Sequence, residues 1–271
     1  MGAIHRTVPP LSLLTLYLTL TNFDAAGLRR HLADLGVGRG MHLAVHSRLL
    51  SFGRVQGGVA TVFDVLREVV GEGGTLVFPT YTTRLAADDP FDPMTTPSQM
   101  MGALPEYARQ QPGVRRSACP MHSHAAVGAR SAAVLDADAT MSLGAGSSFA
   151  AMADAGFQVL LLGCSFQEGA TFVHHIEALV GVPYRKWLDL PRKVRAADGS
   201  VRALTLRYYG RNEGAPANDF DPVERRAERE AGARRAPVNG RSSYLVGCAG
   251  VDRLVRAMLG RDPYALTVQA Q

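Results

Sequence analysis

Four histidines stand in two close pairs, His122-Ser123-His124 and His174-His175, and a carboxylate, Glu177, follows His174 by three residues. An imidazole titrates near neutrality, so it is suited to take a proton from a nucleophile. At a spacing of three, Glu177 shares the helix face of His174. It can orient the ring and stabilise its cationic form, as the carboxylate of a catalytic triad does. His175 falls elsewhere on the helix and is given no role. Two other readings stay open at this point. A lone histidine on a helix serves equally as a hydrogen-bonded core residue. His122 and His124, on one side of a strand and joined by Glu177, would make zinc ligands for a hydrolase.

Other nucleophiles have less support. A serine nucleophile lacks the G-x-S-x-G elbow. Cys164, directly after Gly163, fits a small buried residue closing a strand. The three cysteines, Cys119, Cys164 and Cys248, are odd in number and lack C-x-x-C spacing, so reduced thiols are expected.

A second chemical feature is the loop 46–58, which carries Gly53, Gly57 and Gly58 and leads into a helix. Glycines let backbone approach a ligand closely, and a helix start presents N–H groups, a combination that suits phosphate or pyrophosphate. Arg48 and Arg54 add charge. The loop is neither a P-loop nor a dinucleotide fingerprint, so taken alone it reads first as an ordinary strand-to-helix turn.

The elements that must position these groups follow from periodicity. Asp24 caps a helix over 24–35 with Leu28, Leu32 and Leu35 on one face, and Gly36 and Gly38 end it. A strand at 43–45, the loop, a helix from Val59 to Val69 and a strand at 75–78 make a strand–loop–helix–strand unit, the builder of a parallel sheet. Residues 84–98 read as an extended loop, and Ser98 as the cap of a helix over 99–110. Val159 to Leu162 is a buried strand, and Thr171 opens the helix with His174 and Glu177. The region 183–222 is mixed and β-rich at 201–209. A charged helix is expected near 222–234 and a final helix over 243–259, with Leu245, Ala249, Leu254 and Met258 inward. The fold class is α/β, a mixed sheet flanked by helices in one domain over 21–271.

The net charge is +5, carried almost wholly by arginine. The densest run, Arg225 to Arg235, alternates with glutamates and reads as a solvated helix face, so no nucleic-acid partner is expected. The apolar stretch 11–20 is too short to span a bilayer, and no small-x-small cleavage site follows. A mis-assigned start is preferred over a signal peptide. Residues 1–20 are therefore an extension, and the protein is expected in the cytoplasm without a membrane partner.

Taken in order, these residues resemble a known family. Val45-His46-Ser47 with Gly53-Arg54-Val55 and Gly57-Gly58, then Gly74-Thr75-Leu76 and Pro79-Thr80, resemble the opening of the aminoglycoside 3-N-acetyltransferases. Pro97-Ser98, Met101-Gly102, Glu106, Arg109, Arg116-Ser117, Pro120, His122-Ser123 and Gly146-Ser147 continue the series, and Thr171-x-x-His174-x-x-Glu177 closes it. The resemblance runs unbroken over about residues 25–185. Two departures stand out: Arg48 replaces what is often a small hydroxyl residue, and the region 185–235 is short.

The resemblance implies an antibiotic N-acetyltransferase-like fold, distinct from the common small acetyltransferase (GNAT) fold. It implies acetyl-CoA (coenzyme A) as donor and direct transfer to the 3-amino group of a 2-deoxystreptamine aminoglycoside, giving antibiotic resistance. The alternative is an N-acyltransferase of the same fold using another small amine or an acyl carrier protein donor. An amine attacks a thioester only as the free base, which assigns His174 as base with Glu177 beside it. Glu177 can instead hold the substrate ammonium. The coenzyme group is then His46, Ser47, Arg48, Leu49, Gly53, Arg54, Val55, Gly57 and Gly58. Thr80, Ser117 and Thr171 supply hydroxyls along the pantetheine arm, and His122 and Ser123 line its channel. Tyr81, Asp219 and Glu224 are the candidates for the cationic acceptor. A backbone N–H is expected to serve the oxyanion, no metal is expected, and an oligomer is possible.

Overall fold

A computed structural model describes residues 22–268, so the extension at 1–20 lies outside the described residues. Asp24 caps α1 (Ala25–Asp34), its carboxylate accepting the Gly27 N–H at 2.7 Å. The next unit is β1 (His42–Ser47), a short 3-10 turn at Leu49–Phe52, α2 (Gly58–Val70) and β2 (Thr75–Pro79). There follow β3 (Pro90–Phe91), α3 (Ala103–Ala108), β4 (Arg115–Arg116), β5 (His124–Gly128), α4 (Ser131–Leu135), α5 (Ser148–Asp154) and β6 (Gln158–Leu162). The remainder is α6 (Phe166–Gly169), α7 (Phe172–Val180), β7 (Arg185–Arg195), β8 (Val201–Arg211), α8 (Asp221–Arg226), β9 (Arg234–Val238), β10 (Arg241–Gly247) and α9 (Cys248–Arg261).

Seven strands form one sheet in the order β4-β5-β2-β1-β6-β10-β9. The central three, β2, β1 and β6, are parallel, and the strands on either side run antiparallel to them. Successive side chains alternate between faces. Leu43, Val45, Leu76, Phe78, Leu160 and Leu162 pack with α1, α2 and α3. Ala44, Val77, Val159 and Leu161 pack on the opposite face with α5, α7 and α9. Both faces being covered explains why these strands read as unbroken apolar runs rather than alternating ones. A second sheet, β3-β7-β8, carries the long β7–β8 hairpin, and Leu206 seats it on Cys119 and Met121.

Because β1, β2 and β6 are parallel, Ser47, Pro79 and Leu162 end at one edge of the sheet, with Ser47 registered against Leu162. In open α/β sheets that edge is where ligands bind.

Three sequence expectations are corrected. The helix expected over 99–110 is only α3, with Gly102 at its N-cap; Ser98 instead gives its N–H and hydroxyl to Glu106 at 2.9 and 2.8 Å. The final helix begins at Cys248, not 243, because Tyr244, Leu245 and Val246 pair with β6 and β-pairing overrides a helical pattern. The charged helix near 222–234 is α8, then a π turn at Ala227–Ala231, then β9.

Gly128 ends β5 at φ +116, and a Cβ there would sit 2.2 Å from the Gly74 carbonyl oxygen. Both partners are backbone, so neither can rotate away. Gly128→Ala is expected to cost about 2 kcal/mol or more of stability, read by urea denaturation. Wild-type stability in that variant would remove the constraint assigned to this strand end.

Candidate active site

The helix α7 starts at the ligand edge and presents His174 half-buried, its side chain 21% exposed, while Glu177 one turn on is fully buried. His174 Nδ1 lies 2.5 Å from Glu177 Oε2. A proton on Nδ1 directed at the carboxylate leaves Nε2 as the basic nitrogen. The other carboxylate oxygen, Oε1, accepts the Tyr184 hydroxyl at 2.5 Å. Arg185 Nε lies 2.9 Å from Oε2, an ion pair not aligned as a hydrogen bond. Burial pushes the Glu177 carboxyl up, but the hydrogen bond and charge of His174, the Arg185 guanidinium and the Tyr184 hydroxyl outweigh it and hold it below the usual range. The carboxylate is therefore fully engaged inside the protein, which favours its role beside the imidazole over a direct role on a substrate ammonium. Phe220 meets the His174 ring edge-on at 5.1 Å and fixes its plane.

A cavity of about 740 Å³ opens at the same sheet edge. His46, Ser47, Arg48, Leu49, Gly53, Arg54, Val55 and Gly58 line it, as expected from the loop. Met100, Met101, Gly102, Cys164 and Glu168 also line it, beside the apolar Leu50, Val59 and Pro79. Gly57 lies instead on a neighbouring cavity that shares Arg54, Val55 and Gly58. Gly57 and Gly58 both have positive φ, which swings the chain into α2 without a side-chain cap. The first turn of a 13-residue helix thus meets the cavity with no side chain on its N–H groups. An apolar wall, an uncapped helix start and Arg54 fit a molecule with an acyl arm and phosphates. Arg48 is not free for a phosphate alone, since Glu168 binds it at 3.1 Å and binds Arg241 as well.

The other expected contacts sit deeper. Thr80 bonds the Ser123 carbonyl, and Ser123 donates to the Thr80 carbonyl at 2.7 Å. Ser117 accepts the His124 N–H. These three hydroxyls tie the strand ends together and do not line the cavity. His122, just before β5, and His124, its first residue, both pack on Tyr81 and Phe149. Their Nδ1 atoms meet Ser142 at 2.7 Å and Ser148 at 2.9 Å. Among the described residues no three His, Cys, Asp or Glu side chains converge as metal ligands. Tyr81 is buried between His124 and Thr171, and burial pushes its phenol well up. Asp219 is half-buried and accepts the Asp221 N–H at 3.0 Å. Glu224, expected on the acceptor side, has both oxygens engaged: they accept the Phe166 N–H and the Tyr244 hydroxyl, both at 2.8 Å, and staple α6 to β10. The three cysteines are free and buried.

Tyr184, Arg185 and Asn218 are site residues that spacing missed, since no periodicity links them to Glu177. Met100 is another. It holds φ 61 and is 72% exposed on the cavity rim.

A sequence-family model described as aminoglycoside 3-N-acetyltransferase matches residues 44–260. The aminoglycoside N(3)-acetyltransferase VII of Streptomyces paromomycinus is 36% identical over 187 residues, covering 62% of this chain and 64% of that protein. This chain therefore matches somewhat less than two thirds of that relative's length. Among solved structures, AAC-IIIb in binary complex with CoASH aligns with TM-score 0.78 at 25% identity, covering 92% of this chain and 100% of that one. AAC-VIa bound to sisomicin aligns with TM-score 0.74 at 25% identity, covering 89% and 99%.

Two measurements follow from this geometry. Burial lowers His46 and His175 to about 4 and His122 to about 3, and holds His124 well below its ordinary value. Unfolded, these imidazoles take up protons near pH 6.5, and folded they do not. Stability is thus full above about pH 6.5 and falls as pH drops toward 4, each histidine contributing up to about 1.4 kcal/mol per pH unit. A thermal midpoint flat between pH 7 and 4 would contradict this burial. For Met100→Gly, relief of strain and added chain entropy offset, so stability holds within about 1 kcal/mol. The affinity of this cavity for coenzyme A is expected to fall, and an unchanged affinity would remove Met100 from the ligand contact.

Proposed function

The chain belongs to the aminoglycoside 3-N-acetyltransferase family, and from that premise we propose that it transfers acetyl from acetyl-CoA to the 3-amino group of a 2-deoxystreptamine aminoglycoside. The observation that carries the reading is the His174–Glu177 pair on α7, a helix whose start meets Tyr81 just beyond β2, near the edge where the cavity of the 46–58 loop opens; neither residue lines that cavity. Residues 21–271 act in it as one domain, in the cytoplasm where the donor is made, with neither nucleic acid nor membrane as a partner.

The chemistry follows from the charges. The thioester supplies an activated acyl group. His174 Nε2 takes a proton from the substrate ammonium, and Glu177 stabilises the resulting imidazolium. The amine lone pair then forms a bond to the acyl carbon, the carbon–sulfur bond breaks, and the thiolate leaves to be protonated. The products are an amide and a free thiol, with one proton released overall. His46, Ser47, Gly53 and Val55 hold the donor arm, with Arg54 and the start of α2 beside its phosphates. Acetylation removes a positive charge from the antibiotic, which is the basis of resistance.

A second reading keeps the donor and changes the acceptor. It is favoured by the β7–β8 hairpin, whose strands carry eight lysines and arginines against one acid, Asp189. Lys193, Arg195 and Arg202 have acidic partners at the surface, while Lys186, Arg192 and Arg207 have none among the described residues. With Glu224 used internally, this wall suits an amine that also bears an anionic group, or an acidic acyl carrier as donor.

Thiol release from acetyl-CoA, followed with a thiol-reactive dye across a panel of aminoglycosides and anionic amines, separates the two. Turnover with gentamicin-like or neomycin-like acceptors, absent with 3-N-acetylated controls, is expected, and His174→Ala is expected to lose about 10²- to 10⁴-fold in kcat. Near-full activity in His174→Ala would overturn the mechanism. Turnover confined to anionic amines would move the acceptor to the second reading.

A further inference from the structure

Tyr184 and Arg185 lie just beyond Gly181, the left-handed residue that ends α7. The chain turns back there, and both side chains return to the carboxylate of the helix it has left. Tyr184, Arg185 and Glu177 are 2%, 7% and 0% exposed, so water does not share the carboxylate. Tyr184 occupies Oε1, while Arg185 and His174 both address Oε2. The guanidinium extends further, donating to Asn218 Oδ1 at 2.9 Å and lying 3.0 Å from His174 Nδ1.

Nδ1 of a neutral imidazole is either a donor or an acceptor. Donating to Glu177 leaves Nε2 free as a base. Accepting from Arg185 would put the proton on Nε2 and abolish the base. The carboxylate is charged and nearer, so the first arrangement prevails. A buried carboxylate with no other partner would then bind the imidazolium tightly and leave the base occupied. Here the same arginine that neutralises Glu177 also repels a second positive charge on the ring.

We propose that Tyr184 and Arg185 are positioning residues that compensate Glu177 from behind and fix the tautomer of His174 that keeps Nε2 free. The inference rests on the acyl-transfer reading for its purpose and on the local geometry for its content. The titratable groups facing the dyad are Tyr184 and Arg185 at the start of β7, His122 before β5 and Tyr209 on β8. Asn218 and Phe220 close the remaining side without charge. His122 is held neutral by burial, so Arg185 is the cation that sets the balance.

The test combines ring-nitrogen NMR of His174, assigned with His174→Gln, and the pH dependence of kcat/KM. It compares the wild type with Arg185→Gln, Arg185→Lys and Tyr184→Phe. In Arg185→Gln the ring titration and the acid limb of the profile are expected to move up by about one pH unit. Tyr184→Phe should move both by less in the same direction, and Arg185→Lys should return them toward wild type. The expected kinetic signature is a fall in kcat with the acceptor KM kept within about twofold. A lower kcat with ring titration and acid limb unmoved in Arg185→Gln and Tyr184→Phe would reduce these residues to packing and overturn the proposal. Should Arg185→Gln fail to fold, the Tyr184→Phe titration decides. Shifted ring titrations in a protein that acetylates nothing would support the positioning role and refute the activity instead.

Discussion

An ionised carboxylate with no contact to water is the constraint around which this molecule is arranged. Moving such a charge out of water costs several kcal/mol unless partners replace the lost solvation. Glu177 has three: His174 from its own helix, Tyr184 from the turn after it and Arg185 from the first position of β7. The requirement fixes more than one side chain. It dictates that α7 must end at Gly181, that the chain must turn at once, and that β7 must begin against the helix. Arg185 then pins Asn218, and the neighbouring Phe220 lies on the imidazole. One buried charge thereby ties the helix, the second sheet and the 218–220 segment into a single support for His174.

The sheet contributes the other half of the site. Three parallel strands deliver His46 and Ser47, Thr80 and Tyr81, and Gly163 and Cys164 to one edge. Where a strand runs into a helix, the backbone must turn, and glycines at 57 and 58 make that turn at positive φ with no side chain capping the helix. The buried hydroxyls of Thr80, Ser117 and Ser123 add hydrogen bonds to backbone groups at the strand ends, where the ladder stops. They make the edge rigid rather than reactive.

The polar interior has a cost that shows in its histidines. His46, His122, His124 and His175 are kept neutral by burial, so the fold favours them only where they need not charge. His174 differs in position rather than in type. It alone of the α7 pair reaches the edge, whereas His175 is buried beside Phe149 and Phe172. The two adjacent histidines are separated by about 100° around the helix, which is enough to place one in the site and the other in the core.

The sequence determined what local geometry can determine. Helical spacing placed His174 and Glu177 on one face. Apolar runs at 43–45, 75–78 and 159–162 marked the central strands, and glycines flagged the loop at 46–58. These are properties of neighbours within a few residues, where bond geometry alone sets the distance. Tertiary structure decided the rest. Tyr184 and Arg185 join the dyad only because a turn folds them back, and Met100 reaches the cavity only through a long loop. Glu224 read as a candidate for the cationic acceptor, yet Phe166 and Tyr244, 58 and 20 residues away, engage both its oxygens. Residues 243–247 carried a helical pattern until β6 offered a strand partner. In each case the outcome depends on a partner that local spacing does not reach, and that contact overrides the local preference.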